Sequence, residues 1–484
     1  MSESLKKKSI KGLIWSSVDK FALEIIQFII GIVLARLLMP SDYGLIGILM
    51  VFVSFSAIFV DGGVTKALVQ KLDRTDDDFN TAFIYNLCSS VFLYVVLFVS
   101  APYISIWFEK PELTWLLRIL SLNLVISAFA AVQNTKLTIA VDFKKISIIS
   151  VLSGTVAGIC SVVLAYKGFG AWALVFQQLI NNMCKTILLN FWSKWKPCFC
   201  FSISSFKEIF DFGYKLVLTN ILARIYSNLY PLIIGKMFPM NVLGFYTRGQ
   251  HYAVLPVNIM KTMFTNVSFP VLSSIKQEKE RLCNIYRLYI EMSSFLIFPV
   301  MFMIIVIAKP LIIVMLTEKW LEAVPFMQIL CLGLMFDHIN SINLNLLFVK
   351  GRSDLALKLE VIKKAIAITI LFISIIWGIW GICIGQAIYC ILATFLNSIY
   401  TKKLIGLSYI EQAMDFGKVW LIALLSALFP YFISEMIENN YLKIVTAIIS
   451  YIVTYITIHF LTQSHSGKFF LTQLQELYSY RRNS

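Results

Sequence analysis

Charged residues are scarce in this sequence, and their scarcity excludes most classes of soluble protein. Only 14% of the 484 residues are charged, whereas 58% are hydrophobic. A soluble domain typically has about 25% charged residues, so this chain lacks the polar surface that a water-exposed fold needs. The segments between its apolar runs are too short to form a large soluble domain. A soluble enzyme is therefore excluded.

Acidic residues and paired cysteines are also few. The chain has 27 Asp and Glu against 42 Lys and Arg, which gives a formal net charge of +15. In an apolar protein, this excess is typical of positive loops that hold the topology and contact anionic lipid, so we expect no nucleic-acid partner. The nine cysteines are scattered and form no C-x-x-C pair. This argues against a disulfide framework and against a metal site.

Apolar runs of roughly 18 to 25 residues recur along the whole chain, and each can cross about 30 Å of hydrocarbon as a helix. We predict an all-α polytopic membrane protein with about 14 transmembrane helices, at roughly 13–38, 43–62, 80–106, 113–134, 146–166, 170–190, 213–235, 241–268, 288–308, 321–349, 359–377, 379–400, 418–434 and 441–462. The basic segment Met1–Lys11 resembles that of a signal peptide. The run behind it is too long and has no small-residue cleavage pattern, so we interpret it as a retained first span.

Lysine and arginine sort to one side of this topology. If the N-terminus is cytoplasmic, most of the 42 fall in inside segments, and the outside segments hold only Lys110, Lys167, Lys236, Lys309, Lys319 and Lys443. One missed span would reverse every later loop, so the bias indicates an even number of spans with both termini inside. The outside connections are also short. The tail Phe469–Tyr478 has apolar residues at helical spacing and is predicted to lie on the inner membrane surface.

A turn motif occurs twice, about 200 residues apart. The stretch GIVLARLLMPSDYGLIG at Gly31–Gly47 has a partner, PLIIGKMFPMNVLGFY, at Pro231–Tyr246. In each stretch a basic residue closes one span, and a Pro and Gly elbow starts the next. The corresponding residues are Arg36, Pro40 and Gly44 in the first copy and Lys236, Pro239 and Gly244 in the second.

Two further pairs of short motifs have a similar offset: Ile119–Leu124 with Ile329–Leu334, and Gly170–Gln177 with Gly381–Gln386. We therefore predict two six-helix lobes in a parallel repeat, residues 1–200 and residues 201–410. Residues 411–484 would add spans 13 and 14 and the amphipathic tail. Transporters commonly place the substrate path between such halves.

Several cations fall inside the spans. A charge at bilayer depth costs about 2.5–3.5 kcal/mol, so such a residue needs water, a partner or a cavity. Helical spacing groups them with other polar residues into stripes on spans 1, 7, 8 and 10: Lys20, Glu24, Gln27 and Gly31; Asn220, Arg224, Ser227 and Pro231; Arg248, His251, Leu255, Asn258, Lys261 and Thr265; Asp337, His338 and Asn340. Arg224 stands out because it lies near mid-span with no acidic residue one turn away.

More ordinary interpretations remain open for some of these positions. Three cations lie near the outer ends of spans, where a long side chain can reach the headgroups: Arg36, Arg118 and Lys236. Lys20 and Glu24 are spaced for an intrahelical ion pair. His338 beside Asp337 is more typical of a packed polar pair than of a metal site, because no ligand cluster accompanies it.

Cations without matched anions in a membrane cavity favour an anionic ligand, and arginine can grip phosphate in a bidentate way. The predicted substrate-binding residues are Arg224, Arg248, Lys261 and Lys20. We predict no catalytic residue, no metal and no bound cofactor. Glu24 and Asp337 are candidates for coupling transport to Na⁺ or H⁺.

Four segments of the first half carry a family resemblance: Lys11–Ser17, Leu34–Gly44, Asp142–Lys145 and Gly168–Leu174. They resemble the Wzx-type oligosaccharide flippases, the polysaccharide exporters of the multidrug/oligosaccharidyl-lipid/polysaccharide superfamily. The span count and the repeat extend the likeness over the chain. Acidic Glu24 beside Lys20 departs from a purely cationic site and weakens Lys20 as a phosphate ligand.

The resemblance implies a protein of the bacterial inner membrane that moves a polyprenyl-pyrophosphate-linked oligosaccharide to the periplasmic leaflet. It implies alternating access of two six-helix lobes around a cationic cavity. The implied partners are the lipid-linked substrate, membrane lipids and other polysaccharide-assembly proteins.

Two other functions are compatible with such a chain. A cation-coupled multidrug antiporter of the same superfamily would need carboxylates to dominate its cavity, and the candidates here are only Glu24, Asp337 and Asp61. An integral-membrane polysaccharide polymerase would handle a similar lipid substrate. Such an enzyme usually needs a substantial external loop, against which the short outside connections argue.

Overall fold

The computed structural model describes residues 23–193 and 195–462, and throughout these ranges the chain forms helices and no strands. The predicted all-α membrane fold is confirmed. The predictions for Met1–Lys11, Lys20 and Phe469–Tyr478 lie outside the described residues.

The chain divides into two compact units, Met1–Gly244 and Phe245–Ser484. The helices of the first unit are α1 (23–37 as described), α2 (Pro40–Asp61), α3 (Val64–Gln70), α4 (Asp76–Trp107), α5 (Glu112–Leu120), α6 (Leu122–Ile139), α7 (Phe143–Tyr166), α8 (Ala171–Trp192) and α9 (Ile203–Met237). Helix α10 (Met240–Ser274) begins at the end of this unit and continues into the second.

The second unit continues with α11 (Lys279–Leu316), α12 (Ala323–Leu334), α13 (Asp337–Val349), α14 (Ser353–Ser374), α15 (Gly378–Ser398), α16 (Thr401–Ile405), α17 (Tyr409–Glu435) and α18 (Asn440–Leu461). Single turns of 3₁₀ helix precede α12 and follow α14. Each of the fourteen predicted spans coincides with a helix or a pair of helices, the first over the part of it that the structure describes. Spans 4 and 10 are each broken in two, as α5 with α6 and as α12 with α13.

Side-chain caps begin several of these helices. The Thr75 hydroxyl accepts from the Asp78 amide before α4, and the Asp78 carboxylate accepts from the Thr75 amide at 2.9 Å. Ser408 and Glu411 make the same reciprocal pair before α17. These capping boxes satisfy amides that would otherwise have no partner at a helix start.

Three backbone turns recur in the two units at matching places. A positive φ follows the long helices α4 and α11, at Glu109 (57°) and Thr317 (83°). It follows the second half of each broken helix at Val141 (57°) and Gly351 (69°), and it precedes α8 and α15 at Gly170 (53°) and Gly378 (67°). Positive φ is uncommon outside glycine, so Glu109, Val141 and Thr317 mark a backbone similarity between the α4–α8 and α11–α15 segments.

Amide side chains join α8 to α6 in the first unit. Asn182 donates to Asn123 at 3.0 Å, and Asn190 accepts from Gln133 at 2.7 Å. Between them, Thr186 donates to the Ile126 carbonyl at 3.0 Å. In the second unit, Asn397 of α15 donates to Asn340 of α13 at 3.1 Å, so a bond between amide side chains recurs on the corresponding helix pair.

Helices α17 and α18, the predicted spans 13 and 14, pack against α11. Arg287 of α11 makes a bidentate pair with Asp415 of α17 at 2.8 and 2.6 Å. Tyr455 of α18 donates to the Phe295 carbonyl at 2.9 Å. These contacts hold the two last described helices to the body of the second unit.

Helix α9 belongs to the first unit, although the sequence repeat assigns span 7 to the second predicted lobe. Near its start, Glu208 pairs with Lys71 at 2.8 Å. This hydrogen bond is the main cause of a raised pKa at Lys71. Near its end, Lys236 contacts Glu109 at 3.1 Å and donates to the Trp107 carbonyl at 2.6 Å. The first compact unit thus ends at Gly244, whereas the lobes predicted from the sequence repeat stay a prediction.

Candidate functional site

Three consecutive helices, α8, α9 and α10, are more polar than their neighbours. Within the described ranges, nine helical stretches are long and apolar enough to cross a membrane, and these three are not among them. On α8 the polar groups are used internally, as amide bonds to α6. On α9 and α10 they include the predicted cationic stripes.

Arg224 lies on α9 with an exposed side chain, and Ser227, one turn later on the same stripe, is also exposed. Asn228, next to that stripe, is half-buried and donates to Ser54 of α2 at 3.3 Å. Among the residues that the structure describes, no carboxylate forms an ion pair with Arg224. The arginine therefore points away from the packed side of its helix.

On the stripe of span 1, Glu24 and Gln27 are exposed on α1. Lys20 lies outside the described residues, so its predicted pairing with Glu24 stays a prediction. Arg36 is exposed near the end of α1.

The stripe on α10 has mixed burial. Arg248 and Lys261 are half-buried, whereas His251 and Asn258 between them are exposed. Tyr252, which follows His251, is buried. The stripe therefore runs along the boundary between the packed and exposed sides of the helix within the second unit.

Two of the predicted site residues are in direct contact. Lys261 Nζ lies 2.7 Å from Asp337 Oδ2, and each side chain keeps 35% of its surface exposed. Asp337 is the first residue of α13, directly after the break that follows α12. The predicted phosphate ligand Lys261 is thus matched by a carboxylate in this state.

A second lysine near this pair was missed by the sequence reasoning. Lys364 of α14 is half-buried and lies close enough to Asp337 for a Coulombic interaction. Lys364 falls within predicted span 359–377. Its position inside a span was the signal that could have identified it.

His338 and Asn340 are buried structural residues. His338 shares a hydrogen bond with Ser294 at 3.0 Å and another with the Met335 carbonyl at 2.7 Å. Asn340 accepts from Asn397. The packed alternative for His338 agrees with this geometry, although its partners are Ser294 and Met335 and not Asp337. Within the described ranges, no group of three or more His, Cys, Asp and Glu could hold a metal ion.

Two cations that were predicted to reach the headgroups have protein partners. Arg118 donates to the Phe98 carbonyl at 3.2 Å, with its guanidinium 4.2 Å from the Phe98 ring centroid. Lys236 binds the carbonyl end of α4 and Glu109, as described above. A helix C-terminus attracts cations because its last carbonyls have no partner within the helix.

Comparisons with known proteins identify the family. The sequence matches the family described as "Polysaccharide biosynthesis protein" over residues 33–325, more than half of the chain. The lipopolysaccharide biosynthesis protein WzxC of Escherichia coli (strain K12) is 25% identical over 449 residues, which cover 90% of each chain.

Among solved structures, the inward closed conformation of the lipid II flippase MurJ aligns with a TM-score of 0.76 and 14% identity over 93% of this chain and 100% of that one. An inward-facing multidrug resistance transporter of the MATE family aligns with a TM-score of 0.61 and 17% identity, over 82% of this chain and 95% of that one. At such identities the likeness shows the fold.

These matches confirm the resemblance to the Wzx-type flippases and the prediction of a transporter. They also confirm the helical fold of the superfamily that contains MurJ and the MATE transporters. The chain belongs to the polysaccharide biosynthesis protein family and is a multi-pass membrane transporter.

Proposed function

We propose that this protein is a flippase that moves a polyprenyl-pyrophosphate-linked oligosaccharide across the bacterial inner membrane by alternating access. Family membership and the flippase fold support this function. The observation that carries it is the exposed Arg224 on the polar helix α9. An arginine near the middle of a predicted membrane span needs water or an anion, and a diphosphate supplies the anion.

The physical task is to carry together two parts of one molecule that prefer opposite solvents, an apolar tail and a charged headgroup. The prenyl tail stays in lipid, whereas the diphosphate and the sugars need a polar path. Moving a diphosphate out of bulk water is costly unless cations replace its hydration. The proposed cations for that replacement are the guanidinium and ammonium groups of α9 and α10.

The proposed substrate-binding residues remain those of the sequence prediction: Arg224, Arg248, Lys261 and Lys20. Glu24 and Asp337 are the proposed sites of coupling to Na⁺ or H⁺. The finer partners and the location are also proposals: other polysaccharide-assembly proteins, the inner membrane, and both termini in the cytoplasm. The proposed lobes are residues 1–200 and 201–410.

The test combines a gene deletion with variants of Arg224. Deletion should make a lipid-linked oligosaccharide accumulate in the inner leaflet, and the wild-type gene should relieve it. Arg224→Ala should lower export at least tenfold at an unchanged membrane level, and Arg224→Lys should retain part of it because the charge remains. Arg281→Ala, which removes an exposed pair with Glu278 (3.1 Å), serves as the control with normal export. Wild-type export by Arg224→Ala would contradict the proposal.

A cation-coupled multidrug antiporter is the second candidate, because the fold is shared with a MATE transporter and because Asp337 and Glu24 supply carboxylates. Purified protein in liposomes distinguishes the two candidates. Transport of organic cations with no response to lipid-linked sugar would favour the antiporter.

A further inference from the structure

We propose that Asp337 is a built-in competitor of the substrate diphosphate. Its carboxylate forms an ion pair with the ammonium group of Lys261, and an arriving diphosphate displaces it. This inference rests on the proposed function and gives the same site a means of switching between an empty and a loaded state.

The geometry of the pair supports an exchangeable contact. The Lys261–Asp337 contact is short, at 2.7 Å, yet both side chains are 35% exposed, so an anion can approach either group. A half-exposed ion pair holds weakly because solvent screens it. By contrast, the Arg287–Asp415 pair in the same unit is bidentate, and its carboxylate is only 14% exposed.

The charges around Asp337 leave room for a stronger anion. The charged or titratable groups that interact with it come from three helices: Lys261 of α10, Lys364 of α14 and Cys390 of α15, with His338 adjacent on α13 itself. Glu360 and Lys363 also interact with Lys364, so the group holds three lysines against two carboxylates and keeps a net positive charge. A diphosphate carries more negative charge than a carboxylate, so it gains more from the same ammonium group.

The carboxylate of Asp337 keeps other favourable electrostatic interactions after it leaves Lys261. Asp337 opens α13, whose first amides and helix dipole favour a negative group. Lys364 also interacts with Asp337 through its opposite charge. Asp337 can therefore release Lys261 without becoming an isolated charge.

The alternative is a purely structural ion pair, and the two roles predict opposite effects. If the pair only holds α10 to α13, its loss loosens the site and weakens ligand binding. If Asp337 competes with the ligand, its neutralisation strengthens binding, and it does so only while Lys261 is present.

The experiment measures binding of inorganic pyrophosphate to the purified full-length protein by calorimetry. Asp337→Asn should bind roughly three- to tenfold more tightly than wild type, the effect of removing one half-exposed partner. Lys261→Gln should bind more weakly, and Lys261→Gln with Asp337→Asn should equal Lys261→Gln alone. Asp354→Asn removes another pair of 2.7 Å and should bind as wild type does.

Equal or weaker binding by Asp337→Asn at an unchanged melting temperature would overturn the proposal, as would the same gain in the Lys261→Gln background. A polyprenyl diphosphate in nanodiscs distinguishes the source of the ligand: a larger gain than with pyrophosphate indicates the lipid-linked form. If the proposed flippase function is wrong, the deletion strain exports normally, and this result differs from every outcome of the binding experiment. The binding comparison remains decisive in that case too.

Discussion

At the residue scale, arginine–aspartate ion pairs differ in their expected contribution to stability because they differ in burial. Arg287 with Asp415 joins two long helices, and the carboxylate is 14% exposed. Arg352 with Asp354 lies two residues apart in sequence, with side chains 45% and 60% exposed. Both pairs contain a contact shorter than 3 Å, so burial and not distance separates them.

We expect Arg287→Ala to lower the free energy of unfolding by about 1–3 kcal/mol, because Asp415 would keep a buried charge without its partner. Arg352→Ala should leave the melting temperature unchanged, since solvent replaces the lost contact. Thermal unfolding of both purified variants in one detergent checks the difference. Equal shifts would mean that burial of Asp415 does not govern the pair.

A polar stripe can be seen in the sequence when one helix carries the whole pattern, and the binding role predicted for its residues stays a prediction. The stripe with Arg224 on α9 was visible in spacing alone. The partners of Lys261, Arg118 and Lys236 were not, because each lies on another helix far away in sequence. The hydrogen bonds from α8 to α6 did have a signal in the local sequence, since Asn182, Thr186 and Asn190 recur every four residues.

At the element scale, two glycines allow helix starts to cross closely. A Cβ on Gly44 of α2 would lie 2.0 Å from the Met240 carbonyl oxygen at the start of α10. A Cβ on Gly244 of α10 would lie 1.8 Å from the Pro40 carbonyl oxygen at the start of α2. The two copies of the elbow found in the sequence thus meet each other, a contact that no repeat analysis could predict.

We expect Gly44→Ala and Gly244→Ala each to lower the melting temperature by several degrees or to lower export, because backbone must move to admit a methyl group. Gly417→Ala in α17 is the matched control, since nothing lies within 4 Å of its added Cβ. It should be neutral or slightly stabilising. Wild-type stability and export in both elbow variants would contradict the close crossing.

The elements themselves were largely predictable. Hydropathy placed each of the fourteen predicted spans on a helix or a pair of helices, the first as far as the structure describes it. The breaks inside spans 4 and 10 were not predicted, because neither Ser121 nor Met335 is a helix-breaking residue such as Pro. Tertiary packing, and not local sequence, decides where such a helix bends.

At the scale of the whole molecule, ion pairs join residues on the same predicted side of the membrane. Lys71 and Glu208 both fall inside in the predicted topology, and Lys236 and Glu109 both fall outside. A missed span between partners would have placed them on opposite sides. The pairing therefore agrees with the predicted number of spans between them.

Reporter fusions test the orientation. Alkaline phosphatase fused after Lys110 should be active, because that loop is predicted to be periplasmic, whereas a fusion after Arg352 should be inactive. Green fluorescent protein at the same two positions should give the reverse pattern. Activity after Arg352 would reverse the proposed orientation.

The polarity of α8, α9 and α10 also bears on biosynthesis. The insertion machinery releases a segment into lipid when the segment is apolar enough to favour hydrocarbon. Helices α8, α9 and α10 are less apolar than their neighbours. We expect residues 171–274 to leave the translocon together with earlier helices that shelter them. Truncations that end within this stretch should then be integrated poorly. Insertion of α8, α9 and α10 should also require the earlier helices of the same chain.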